Sequence, residues 1–130
     1  MILINKNSSN EVVLTLSEKT TIVEPTYLFE FTNDSTKETK VFISADYSNN
    51  KERFNVFNII ETLIEVPLTG RVRLTIGNWK YKIYEQVSPS NLIVANADRL
   101  VENGRVEVKG TETNINEFTG EQITYKEFNG

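Results

Sequence analysis

A chain of 130 residues with no cysteine, no histidine, 18 acidic and 14 basic side chains carries a formal net charge of −4. The absent thiols and imidazoles exclude disulfides, thiolate zinc sites, Ser-His-Asp and Cys-His catalysis and histidine-zinc hydrolysis, and the acidic balance argues against a nucleic-acid partner, which needs a basic footprint. With 38% hydrophobic and 25% charged residues the chain suits one globular domain, and no apolar run approaches the ~18 residues of a membrane span, so no membrane partner is expected.

Strand signals begin at once. Met1-Ile-Leu-Ile-Asn-Lys6 is strand-like and lacks the charged start, apolar centre and small-residue cleavage site of an export signal, so export is not expected. Val12-Val-Leu-Thr-Leu16 alternates as a strand does. In Tyr27-Leu-Phe-Glu-Phe-Thr32, Tyr27, Phe29 and Phe31 share one face, an aromatic stripe at period two that belongs to a core. Asn33-Asp-Ser-Thr-Lys-Glu38 is a run of turn formers and Thr39-Lys-Val-Phe-Ile-Ser44 resumes the strand pattern, which predicts a hairpin. Asp46 to Glu52 reads as a loop, and the sequence from Phe54 onward reads as a strand by its β-branched and aromatic content. Pro67 and Thr69-Gly70 break the pattern.

Val72, Leu74 and Ile76 alternate with Arg71, Arg73 and Thr75; beyond Gly77-Asn78, Trp79, Tyr81 and Ile83 alternate with Lys80, Lys82 and Tyr84. One face is apolar and the other cationic. Gly77-Asn78 permits two geometries. A two-residue turn would pair Ile76 with Trp79, Leu74 with Tyr81 and Val72 with Ile83. A corner would instead carry the chain from one sheet to another, as in immunoglobulin-like sandwiches, and the number of short strands favours it.

Asn91 to Asp98 reads as a connection. In Leu100-Val-Glu-Asn-Gly-Arg-Val-Glu-Val-Lys109, Asn103-Gly104 is the preferred pair for a type I′ hairpin, which sets Val101 opposite Val106 and Glu102 opposite Arg105. Phe118, Ile123, Tyr125 and Phe128 are spaced among polar residues. The expected fold is therefore all-β, an immunoglobulin-like antiparallel β-sandwich over residues 1–110, with residues 111–130 as a C-terminal arm or edge strand.

Little in this pattern carries chemistry. Asp46-Tyr-Ser-Asn-Asn-Lys-Glu52 offers oxygen ligands at alternate positions, but Lys51 stands where a calcium loop needs glycine and Phe57 where it needs glutamate. Glu30, Asp34, Asp46, Glu61, Glu65, Glu85 and Asp98 are scattered, and solvated surface charge accounts for nearly all of them. No catalytic residue, metal, cofactor or small-molecule substrate is expected. The candidate contact surface is the cationic set Arg71, Arg73, Lys80 and Lys82, with Arg73 opposite Lys82 in the hairpin register. Acidic neighbours such as Glu61 and Glu65 neutralise it, or it meets an acidic partner.

Several segments in order resemble small virion proteins of tailed phages that infect Bacteroidetes, crAss-like phages among them. The residues that carry the resemblance are Met1-Ile-Leu-Ile-Asn-Lys6, Val12-Val-Leu-Thr-Leu-Ser-Glu-Lys-Thr20 and Tyr27-Leu-Phe-Glu-Phe-Thr-Asn-Asp34. To these belong Trp79-Lys-Tyr-Lys-Ile-Tyr-Glu-Gln86 and Leu100-Val-Glu-Asn-Gly-Arg-Val-Glu-Val-Lys-Gly-Thr111. The resemblance implies a structural role as capsid decoration, auxiliary capsid protein or another head- or tail-associated part. It implies other virion proteins, capsid or tail subunits, and further copies of the chain as partners. It places the protein in the virion after synthesis in the host cytoplasm. It brings no catalytic residues. The residues 111–130 are then expected to add a strand to a neighbouring subunit. The competing expectation is an immunoglobulin-like binding module for a host surface glycan or protein; a carboxylate-only glycosidase is the remaining enzymatic alternative.

Overall fold

The structure, a computed structural model, describes residues 1–110. Eight strands are present among them: β1 (Ile2–Asn5), β2 (Ser9–Leu14), β3 (Thr26–Asn33), β4 (Thr39–Ile43), β5 (Asn55–Glu61), β6 (Arg71–Val72), β7 (Gly77–Gln86) and β8 (Arg99–Lys109). Short 3-10 turns at Ser17–Lys19, Pro67–Thr69 and Val94–Asn96 join them. The strands make a five-stranded sheet in the order β1-β8-β7-β3-β4 and a three-stranded sheet in the order β2-β5-β6. Neighbours are antiparallel except β1 beside β8 and β5 beside β6, which are parallel. The β8-β7-β3-β4 order opposite β2-β5 matches the G-F-C-C′ and B-E pairings of immunoglobulin-like sandwiches. The expected arm, 111–130, lies outside the described residues.

Period-two patterning builds the core. Phe29 and Phe31 from β3, Phe42 from β4, Trp79 and Ile83 from β7, Phe57 and Ile59 from β5 and Ile4 from β1 are all fully buried. The aromatic rings join the layers. Phe57 of the small sheet meets Tyr27 and Phe29 of the large one edge-on, at centroid distances of 5.6 and 5.0 Å, and Phe29 stacks on Phe42 at 5.1 Å. Such ring pairs add to the burial of apolar area. The buried indole N–H of Trp79 donates to the Thr75 carbonyl at 2.9 Å, so the core holds this polar atom without loss.

The β3–β4 hairpin forms where the polar run predicts it. Its first loop residues are fastened by Asn33, whose side-chain oxygen accepts from the backbone N–H groups of Ser35 and Thr36. At Gly77 the sheet-crossing corner is found: β6 lies in the small sheet and β7 in the large one, with Leu74 buried between them. Gly77 adopts φ 137°, a conformation that side chains resist, so glycine is required where β7 begins. Trp79 consequently faces Asn33 and Val106 rather than Ile76.

The hairpin expected at Asn103-Gly104 is absent. β8 runs unbroken through it, with Asn103 opposite Lys82 and Gly104 opposite Tyr81. The glycine answers a long-range demand. A Cβ at residue 104 would lie 2.6 Å from the Tyr81 ring, so the strand needs glycine to admit the aromatic side chain.

Candidate interaction surfaces

The acidic residues divide into two kinds, and sequence reasoning missed the division. Glu61, at the end of β5, is buried and not solvated. Its Oε2 accepts from the Lys6 ammonium at 3.0 Å and the Leu74 amide at 3.0 Å; its Oε1 accepts from the Asn7 amide at 2.7 Å. Lys6 also donates to the Leu74 carbonyl at 2.6 Å. The pair thus ties the β1–β2 turn, the end of β5 and the sheet-crossing segment together, with both side chains out of solvent.

Glu85 of β7 is likewise buried and does for the other end of the sandwich what Glu61 does here. It accepts from the backbone N–H groups of Thr21 and Ile22 at 2.9 and 2.8 Å, from the Thr21 hydroxyl at 3.0 Å and from Arg99 Nε at 2.8 Å. Burial pushes its pKa upward, but the donors from Ile22, Thr21 and Arg99 outweigh it and hold the carboxyl below its usual range. Asp46 is occupied too. Its oxygens accept from the Ser48 and Val56 amides and from the Asn55 side chain, so the calcium-like pattern serves the loop itself.

Asp46 and Asn55 also border a cleft of about 760 Å³, together with Ser17, Tyr27, Lys51 and Glu52. The buried polar groups on its wall are satisfied internally. The Tyr27 hydroxyl and Thr20 Oγ1 are 2.9 Å apart, and Asn55 Oδ1 accepts from the Leu16 amide at 2.7 Å. Among the described residues no group of three or more acidic side chains is arranged to hold a metal ion.

All four residues of the cationic set are exposed, but they do not form one face. Arg71 lies on β6 of the small sheet and Arg73 on the crossing segment, whereas Lys80 and Lys82 lie on the outer face of the large sheet. The register that sets Arg73 against Lys82 is not formed, because the chain changes sheets between them. Lys82 instead stands between Glu30 and Asn103, and Lys80 between Thr32 and Arg105. Glu61 does not neutralise the set, since its oxygens are taken by Lys6, Asn7 and Leu74. Glu65 accepts from the Arg73 backbone N–H and from Lys40, and not from a guanidinium.

Arg105 was outside the expected set because the hairpin reading turned the chain just before it. In the continuous β8 it opposes Lys80, and its Nη2 lies 3.7 Å from Asp34. The segment Leu63 to Leu68, in which the sequence reading singles out only Pro67, as a break, carries four exposed apolar side chains: Leu63, Ile64, Val66 and Leu68. Its signal was available in composition, as apolar residues crowded around a proline. Comparison with protein-family models, with curated proteins and with solved structures returned no match.

Proposed function

We propose that this chain is a structural protein of a phage particle, a capsid-decorating or other head-associated component that works by protein–protein contact and not by catalysis. The observation that carries the reading is the direct opposition of Lys80 and Arg105 on the exposed face of the large sheet. Like charges so placed disfavour a sheet by a few tenths to about 1 kcal/mol, a cost that Asp34, 3.7 Å from Arg105, offsets in part and an acidic partner would offset further. The non-catalytic part of the reading is supported by Glu61, Glu85 and Asp46, whose oxygens are all engaged in holding backbone segments. The setting is suggested by the resemblance of the segments quoted above, over most of residues 1–111, to small virion proteins of Bacteroidetes tailed phages, crAss-like phages among them. Other capsid or tail subunits and further copies of the chain are then its partners, and the virion is its location after synthesis in the host cytoplasm. Nucleic acid, membrane and small-molecule substrate have no part in this reading.

The protein composition of purified particles tests it. A fixed ratio of this chain to the main shell protein is expected, and its absence from particles that assemble normally would overturn the proposal. A second reading, a binding module for a host surface glycan or protein, draws support from Tyr47, 65% exposed and adjacent in sequence to the cleft-lining Asp46. Saturable binding of a glycan by the isolated protein, lost in Tyr47→Ala, would favour the second reading.

A further inference from the structure

The connections β2–β3, β4–β5 and β7–β8 meet at one end of the sandwich. Glu85, near the end of β7, holds the amides of Thr21 and Ile22, and Arg99, where β8 starts, donates to the Lys19 carbonyl. The Ser17 hydroxyl donates to the Lys51 carbonyl. In immunoglobulin variable domains the loops of one end carry recognition, but an architecture assigns no ligand by itself. The side chains have to name it.

The cleft of about 760 Å³ is lined mainly by the first two of these connections, and its size suits a small-molecule site. Some of its side chains serve the fold. Asn55 Nδ2 donates to Asp46 Oδ2 at 2.7 Å and to Ser17 Oγ at 3.3 Å, which fastens one connection to the other. Glu24, Lys51 and Glu52 are of another kind: all three are exposed and form no ion pair among the described residues. Glu24 also holds φ 51°, in the left-handed region that a glutamate rarely adopts, and such strain gathers at functional sites. Beside these charges the lining offers apolar Ile22, Val23 and Pro25, with Val23 87% exposed.

We infer that this cleft binds a short neutral oligosaccharide. A sugar ring presents C–H groups on its faces and hydroxyls around its edge. Ile22, Val23 and Pro25 suit the faces, while the carboxylates of Glu24 and Glu52 accept from hydroxyls and the Lys51 ammonium donates to them. The lining holds three carboxylates, Asp46 among them, and one ammonium, an excess of negative charge that disfavours phosphorylated, sulfated or sialylated ligands. Hydrogen bonds already fasten the two connections together, so binding has little ordering to do. The inference goes beyond the virion reading and rests on the binding-module reading, to which it gives a site and a ligand class.

The full chain, applied to an array of short neutral, sialylated and sulfated oligosaccharides, tests it, with the bound probes then titrated in solution. A neutral probe should bind, and Lys51→Ala with Glu52→Ala should weaken it at least about tenfold. Val23→Asp should do the same, with the Trp79 emission unchanged in both variants. Amide signals of Val23, Glu24, Lys51 and Glu52 should shift when the neutral probe is added, and those of Lys80 and Arg105 should not. Full binding of the neutral probe by both folded variants would overturn the inference; if Tyr47→Ala alone abolished it, the binding-module reading would stand without this site. Binding confined to sialylated or sulfated probes would overturn the ligand class and the inference with it. Binding of no probe would overturn the inference and the binding-module reading together.

Discussion

Tyr81 and Gly104 face each other across β7 and β8, and the tyrosine ring fills the place where a side chain on residue 104 would stand. The Tyr81 hydroxyl continues past the glycine to donate to Glu102 at 2.8 Å. Burial, with the bond to Glu102 and its charge, pushes the phenol far above its ordinary value near 10.0. The tyrosine therefore stays a neutral donor at neutral pH and well above it.

Gly104→Ala should cost about 1–3 kcal/mol, the usual penalty for forcing atoms into a packed site. Urea unfolding of the single variant and of its pair with Tyr81→Leu measures it. The alanine penalty should shrink in the leucine background; an equal penalty in both would mean that the ring is not the reason for the glycine.

The Lys6–Glu61 pair predicts an asymmetry between single and double replacement. Lys6→Met leaves a buried carboxylate without its cation and should cost about 3–5 kcal/mol. Lys6→Met with Glu61→Leu should recover only part of that loss. The buried amide of Leu74, which donates to Glu61, then loses its acceptor, at about 1–3 kcal/mol. Chemical denaturation of both variants decides the point, and full recovery in the double variant would contradict the account.

Glu85 makes the acid limb of stability predictable. Its folded pKa lies below its ordinary value near 4.5, so its contribution is fully present above that value. The contribution is lost as pH falls from there through the folded pKa. Glu85→Gln should cost about 1.5–3 kcal/mol at neutral pH, because bonds to a charged acceptor become bonds to a neutral one. It should also flatten the decline of stability in acid. Unfolding free energies measured from neutral pH to strong acid for both proteins test the sign.

Trp79 is the single tryptophan and is fully buried, so its emission reports on the core alone. A blue-shifted maximum is expected, moving red in one cooperative step on unfolding. Trp79→Ala should cost about 3–5 kcal/mol. A red-shifted maximum in the native protein would contradict the packing described.

What could be read in the sequence was what depends on the period of two. Phe29 and Phe31, and Trp79, Tyr81 and Ile83, fall on the buried face as their alternation requires, and the polar run at residues 33–38 makes the expected turn. What could not be read depends on partners distant along the chain. Asn103-Gly104 looks like a turn locally, and only the ring of Tyr81 explains it as strand. Glu61 and Glu85 look like surface acids until residues 6 and 74, or 21, 22 and 99, are brought to them. The cationic set rests on the alternation either side of Gly77, and the sheet crossing there parts Arg71 and Arg73 from Lys80 and Lys82. A separate local reading, the hairpin at Asn103-Gly104, hid Arg105, which the continuous β8 brings to Lys80.

The outer face of the large sheet is where the structural role is most open to measurement. Occupancy of the chain on purified particles, compared between the natural protein and Lys80→Glu with Arg105→Glu at rising salt, tests it most directly. The account predicts that the natural chain detaches progressively as salt screens its contact. The reversed variant, with its Trp79 emission unchanged, should be depleted from particles even at low salt. Equal occupancy of a folded reversed variant would contradict the account.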